Sequence, residues 1–191
     1  MNLKLEQLRR SYNAGEKLQF LFFWGHTPPA DGSVNQSCLS QWWMSRFEIE
    51  DVVYSCTEQY MMAEKARLFD DGDSLCKIMN ASQPKEMKAL GRAVKNFKNA
   101  LWEQNCYEIV KRGNFAKFSQ DRKLGAYLKS TQNRILVEAS PYDRIWGIGL
   151  EQSHPDAKNP LKWRGLNLLG FALTEVRDGL LEGENSTWTE N

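Results

Sequence analysis

The sequence predicts a mainly helical α+β protein with a few short strands: one compact domain over residues 18–180, an accessory helix within 1–17 and an acidic tail over 181–191. Three observations carry that reading. Apolar residues recur at helical spacing in the middle of the chain, as at Trp102, Cys106, Ile109 and Gly113. Runs of β-branched and aromatic residues are few and short, at 18–24, 47–54 and 135–137. With 191 residues, 41% of them apolar and 26% charged, the chain has the size and composition of a globular protein with one core.

Taken in order, Leu3, Leu5 and Leu8 mark a first short helix over 3–12 that needs somewhere to dock. Residues 18–24 read as a strand, and the glycines and prolines of 25–32 as a loop. Residues 47–54 read as a hairpin turning at Glu50 and Asp51. Thr57 stands where it can cap the next helix, with Glu58 in the first turn, where unpaired N–H groups and the positive helix end favour an ionised carboxylate. Asp73 opens a helix to Asn80, and Ser82 with Pro84 opens another to about Lys95. The Trp102 stripe marks a further helix, and Asp121 caps the one after it. Asn159 and Pro160 open the last helical region, with Leu166, Leu169, Leu173 and Val176 as its apolar stripe and Gly179 beyond its last turn.

Composition excludes several classes. The longest apolar run, 20–24, is far too short for a bilayer, and charges interrupt the first ten residues where a secretion signal needs apolar ones, so a cytoplasmic protein without a membrane partner is expected. Cys38, Cys56, Cys76 and Cys106 lie 18, 20 and 30 apart with only His26 and His154 to help them, which is no metal-binding pattern. Cys76 and Cys106 fall in helical stretches and read as small buried hydrophobes. The net charge of +1 hides a gradient: residues 85–129 hold eleven Lys or Arg against four acids, a net of +7, whereas 178–191 hold four acids and no base. A basic middle suits a phosphate-bearing ligand or nucleic acid, or is simply a set of solvated helix faces.

The stretch 135–150 changes character halfway. Ile135, Leu136 and Val137 form a strand-like run, then Glu138, Asp143 and Arg144 crowd among Pro141, Tyr142, Trp146, Gly147 and Gly149. Read alone, this is either a turn with a Glu138–Arg144 pair or a functional loop. Val137-Glu-Ala-Ser-Pro-Tyr-Asp-Arg-Ile-Trp-Gly-Ile-Gly149 closely resembles a signature segment of the NADAR or YbiA-like family. Three more stretches resemble family motifs in the same order: Thr57 through Lys65, Gly113 through Phe118, and Trp163 through Gly170.

The resemblance spans roughly 20–178 and implies a compact YbiA-like fold, NAD- or ADP-ribose-like ligands, and hydrolysis of N-glycosidic bonds in phosphorylated early intermediates of riboflavin synthesis. Breaking a ribosyl C–N bond builds positive charge on the sugar, which carboxylates facing C1′ stabilise. Glu58 and Asp143 are the candidate catalytic carboxylates; Lys65, Arg144, Trp146, Gly147, Arg164 and Asn167 are the candidate binding residues. Trp146 suits base stacking, and Arg144 or Lys65 a phosphate or leaving group. Two alternatives stay open, an ADP-ribosyl hydrolase acting on modified nucleic acid or protein and a non-catalytic nucleotide-binding module. No cofactor is implied: the G-x-G at Gly147 and Gly149 lacks the strand–helix setting of a dinucleotide fold, and no G-x-x-x-x-G-K-S/T loop occurs.

Overall fold

Glu50 and Asp51 both take left-handed backbone angles (φ 52° and 61°), the sign a two-residue primed turn requires. They join β2 (Phe47–Ile49) to β3 (Val52–Tyr54) in antiparallel register, Phe47 opposite Tyr54, as the sequence predicts. The computed structural model describes the backbone of residues 3–187 and side chains through 183. Its contacts form two units, Gln41–Gly125 and Met1–Ser40 with Ala126–Asn191. Among the described residues there are seven helices and two two-stranded pairings, the helix-rich α+β class the sequence predicts.

In the unit 41–125, α2 (Thr57–Leu68) is the central helix, packed on α3 (Gly72–Asn80), α4 (Pro84–Arg92) and α5 (Asn99–Gln120). Two glycines let the helices close on it. A Cβ at Gly113 of α5 would lie 2.5 Å from the Tyr60 ring, and one at Gly91 of α4 would collide with the Met62 side chain. Three helix ends differ from the sequence reading. Thr57 is inside α2 rather than capping it, because its hydroxyl donates to the Gln41 carbonyl (3.1 Å). Asp71, not Asp73, caps α3, its Oδ1 accepting the Ser74 N–H at 3.1 Å. α4 stops at Arg92 rather than near Lys95, whose N–H is drawn off to Asp71 Oδ2 (2.8 Å) before Asn96 turns left-handed (φ 56°). Cys106 is buried as expected, but Cys76 is exposed on α3, opposite the face that buries Ser74 and Ile78.

The chain leaves this unit within α6 (Arg122–Ser130), capped as expected by Asp121, whose Oδ1 accepts the N–H groups of Lys123 and Leu124 at 2.9 and 3.1 Å. In the other unit β1 (Phe20–Phe23) runs parallel to β4 (Ile135–Glu138), Phe20 opposite Ile135 and Phe23 opposite Glu138. α7 (Leu168–Thr187) lies against β4, close enough that a Cβ at Gly170 would collide with the Leu136 carbonyl. Leu169, Leu173 and Val176 are buried there, and Arg177 donates to the Arg134 carbonyl (2.8 Å).

α1 (Leu3–Asn13) buries Leu5 and Leu8 while Leu3 is 80% exposed, since only the first two are three apart and share a face. The last helix is not where the sequence places it. Residues 159–167 are not helical, α7 begins at Leu168 with Leu166 41% exposed, and it runs on through Gly179. The acidic tail 181–191 therefore begins as helix, and 188–191 lie outside the described residues. Among the described residues no helix is long and apolar enough to cross a membrane.

Candidate functional site

The groups the sequence singles out fall into two clusters, one in each unit. In the unit 41–125 the cluster is built on the first turn of α2. The Gln41 carbonyl accepts the Glu58 N–H (3.0 Å) as well as the Thr57 hydroxyl, satisfying donors that a helix start leaves open. Glu58 itself is 2% exposed. Gln41 (7% exposed) accepts through Oε1 from Asn114 Nδ2 at 2.9 Å, and Asn114 and Lys117 of α5 are both 0% exposed. The Cys56 thiol feels both charges: burial pushes its pKa up, the Glu58 carboxylate adds to that, and Lys117 pulls it back. Lys65 lies seven residues along α2 from Glu58, with its ammonium 4.2 Å from the Phe97 ring centre and 5.5 Å from that of Trp102. Burial first, then the nearby Arg92 charge, lowers its pKa.

The second cluster is made mostly by backbone. After β4 the chain turns at Ser140, and Asp143 Oδ1 accepts the N–H groups of Ile145 (2.9 Å) and Trp146 (2.8 Å). The Asp143 carbonyl accepts from Gly149 and the Glu138 carbonyl from Ile148, at 3.0 and 2.9 Å. A second segment is then zipped along this loop: the N–H groups of Arg164, Leu166, Asn167, Leu168 and Leu169 donate to the carbonyls of Ile148, Arg144, Gly147, Ile145 and Trp146. Gly165 makes the approach possible, since a Cβ there would lie 2.8 Å from Arg144 Cα.

Within this frame Trp146 is half-buried, while Arg144 and Arg164 are exposed and line a cleft of about 340 Å³. Gly147 and Asn167 serve the frame. Gly147 is buried, with no room for a Cβ beside the Glu138 carbonyl at 2.8 Å. Asn167, a candidate binding residue in the sequence, is 0% exposed, because its Nδ2 donates to the Leu136 carbonyl (2.9 Å) and its Oδ1 accepts the Glu138 N–H (3.0 Å).

Sequence reasoning passed over Gln41, Asn114 and Lys117. Asn114 and Lys117 lie inside the motif-like stretch from Gly113 to Phe118, but Lys117 reads there as one more solvated charge, and nothing around Gln41 marks it. Among the described residues no three His, Cys, Asp or Glu side chains converge to hold a metal ion.

Residues 22–181 match the model of the NADAR domain. The chain belongs to the NADAR domain family. This NADAR chain is 43% identical over 144 residues to an N-glycosidase of Acanthamoeba polyphaga mimivirus, covering 73% of this chain and 85% of that protein. It is 35% identical over 122 residues to the chloroplastic riboflavin biosynthesis protein PYRR of Arabidopsis thaliana, which is 62% of this chain and 18% of that longer protein. Its fold is that of the E. coli protein YbiA, whose NMR structure aligns with a TM-score of 0.69 at 23% identity over 87% of each chain.

Proposed function

We propose that this NADAR chain hydrolyses the ribosyl C–N bond of a small phosphorylated, nucleotide-like metabolite, with Glu58 as its main catalytic carboxylate. The observation that carries this reading is the burial of Glu58 at a helix start among Gln41, Asn114 and Lys117, all 7% exposed or less. Burying such groups costs several kcal/mol unless they are well satisfied, so a chain that keeps four of them together has a use for them beyond folding. The chemistry needs such a group: as the base leaves with the C1′–N electron pair, a carboxylate stabilises the positive sugar and takes a proton from the water whose oxygen bonds to C1′. The departing base takes up a proton, for which the partly desolvated Lys65 ammonium is suited.

In the other unit the groups suited to a ligand are Trp146, as a stacking face, and the exposed Arg144 and Arg164, as phosphate partners. Asp143 is assigned as the second carboxylate; one of its oxygens holds the loop and Oδ2 has no hydrogen-bond partner among the described residues. Gly147 and Asn167 contribute by holding the loop in place. The name of the mimivirus relative supports N-glycosidic hydrolysis, and that of the plant relative makes early riboflavin intermediates the first compounds to try.

The basic middle favours a small substrate over nucleic acid. Lys85, Arg92, Lys95 and Lys98 lie on exposed surfaces, and Lys95, Lys111 and Arg112 are paired with Asp73, Glu108 and Glu50. The test is to incubate the protein with ribosyl-phosphate N-glycosides and with ADP-ribosylated DNA across a salt series, following free base or released ADP-ribose by chromatography. Base release from the small compound with a shallow salt dependence is expected. Preference for the DNA, with log affinity falling by about 0.7 to 0.9 per contacted phosphate for each tenfold rise in salt, moves the substrate to modified nucleic acid. Binding without release from either makes the chain a binding module.

A further inference from the structure

Gln41 lies along the face of α2 that carries Glu58. Its carbonyl accepts the Glu58 N–H (3.0 Å), and its Nε2 donates to the sulfur of Met61 (3.6 Å), one turn further on. Its Oε1 accepts from Asn114 Nδ2 at 2.9 Å, so the Asn114 amide stands beside that same face. The other hydrogen of this Nδ2 goes to the Val110 carbonyl at 2.8 Å. Turning the amide over would set Oδ1 against two acceptors, the Gln41 Oε1 and the Val110 carbonyl, which fixes which end of the group is which.

Both donors of Asn114 are therefore used, and its acceptor is not. The residue is 0% exposed, and Oδ1 is buried with no hydrogen-bond partner among the described residues. Leaving a buried acceptor unmatched costs about 1–3 kcal/mol, a cost that leucine, of nearly the same volume, would avoid. Only a small group reaches an atom so enclosed, and a single water, with two hydrogens to donate, is suited to it. The hydrolysis assigned to Glu58 needs a water held by two acceptors, one to take its proton and one to aim its lone pair.

We propose that Asn114 Oδ1 holds the hydrolytic water for Glu58. The water donates one hydrogen to Oδ1 and the other to the Glu58 carboxylate, leaving an oxygen lone pair for C1′. As the C1′–N bond breaks and its electron pair leaves with the base, the O–C1′ bond forms and the proton facing Glu58 passes to that carboxylate. The other hydrogen stays on the new hydroxyl, still bonded to Asn114. The proposal rests on the reading of Glu58 as the base and adds the group that selects the nucleophile. Methanol has one hydroxyl hydrogen, so it can serve Glu58 or Asn114 but not both, and the site should favour water over it.

The test measures products in water–methanol mixtures, with a ribosyl-phosphate N-glycoside as probe, for the full chain and for Asn114→Leu, which keeps the volume and removes the acceptor. The ratio of methyl glycoside to free sugar is set within each turnover, so partial unfolding does not alter it. In Asn114→Leu that ratio is expected to rise about tenfold, and kcat to fall about 10- to 100-fold with KM within about twofold, since Asn114 touches water rather than substrate. An unchanged ratio, or a loss carried by KM, overturns the proposal; if Glu58→Gln abolishes turnover at the same time, the Glu58 reading stands without it. Normal turnover in Glu58→Gln removes the base and the proposal together. A crystal structure of the full chain needs no variant: a water about 2.5–3.0 Å from both Asn114 Oδ1 and a Glu58 oxygen is expected, and an Oδ1 without such a water overturns the proposal.

Discussion

Glu58 and Asp143 are both carboxylates in motif-like stretches, and the chain surrounds them by opposite means. Around Glu58 the polar groups are side chains from separate parts of one unit, Gln41, Asn114 and Lys117, all withdrawn from water. Around Asp143 they are backbone amides: one carboxylate oxygen takes two N–H groups of its own loop, and five more N–H groups fasten a second segment to that loop. A site made of side chains can be changed one group at a time while the fold stands. A site made of backbone is a shape, and its side chains are free to vary wherever they do not hold the shape. The two regions should therefore respond differently to substitution, in activity for the first and in stability for the second.

The largest effect is expected at Glu58. Glu58→Gln keeps the size and removes the charge, so turnover of an N-glycoside should fall by about 10²–10⁴-fold while circular dichroism and melting temperature show a folded protein. Near-normal turnover in that folded variant removes Glu58 from the proposed role.

Next comes Asn167, whose amide joins the Leu136 carbonyl to the Glu138 N–H in the frame beneath the Asp143 loop. Asn167→Ala leaves both backbone groups buried without partners at a residue already in left-handed geometry (φ 54°), and should cost about 2–4 kcal/mol in urea unfolding. A cost below about 1 kcal/mol would show that the Asn167 amide does not hold the frame.

Trp146 sits between the two kinds of behaviour, because it is half-buried and its N–H and carbonyl both belong to the frame. If its ring stacks on a base, Trp146→Ala should weaken ligand binding by about 1–3 kcal/mol in a titration of the folded variant. A sharply lowered melting temperature with unchanged affinity would assign the ring to packing.

The smallest effect is a pH control on a carboxylate used only for structure. The Lys95 N–H, followed by the hydroxyl and N–H of Ser74, pulls the pKa of Asp71 down to about 2. A free Asp titrates near 3.9. Since the folded value is the lower one, the stabilisation is fully present above about pH 4 and is lost as the pH falls through about 2. The melting temperature of the wild type should thus drop more between pH 4 and pH 2 than that of Asp71→Asn; parallel curves would show that Asp71 contributes nothing.

Much of the fold was legible because local signals were unopposed. Glu50 and Asp51 between two aromatic and β-branched runs marked the hairpin, and Asp121 marked a helix start whose N–H groups it does take. The misplaced ends share a cause, which is competition from distant partners. Thr57 spends its hydroxyl on Gln41, Lys95 gives its N–H to Asp71, and Arg164, Leu166 and Asn167 give theirs to the loop at 144–148 instead of to a helix. The binding side chains were named largely from motif resemblance, and those on Arg144, Arg164 and Trp146 do share one loop frame. What periodicity could not show was which charges are buried: Lys117 and Lys111 are six apart on one helix, yet the first is fully buried and the second pairs with Glu108 near the surface.

The parallel pairing of β1 with β4 bears on how the molecule is made. On the ribosome, Phe20–Phe23 emerges more than a hundred residues before Ile135–Glu138, the strand it joins. All of 41–125 is synthesised in that interval as one contiguous stretch, with its own helices and hairpin. The waiting strand is apolar and its backbone groups have no ladder until β4 appears, which is the condition under which nascent chains associate with one another. Closing a loop of that length costs on the order of 4 kcal/mol of chain entropy, recovered only when β4 and α7 come together. Synthesis of this chain accordingly has a vulnerable period that begins with the first strand and ends with the last helix.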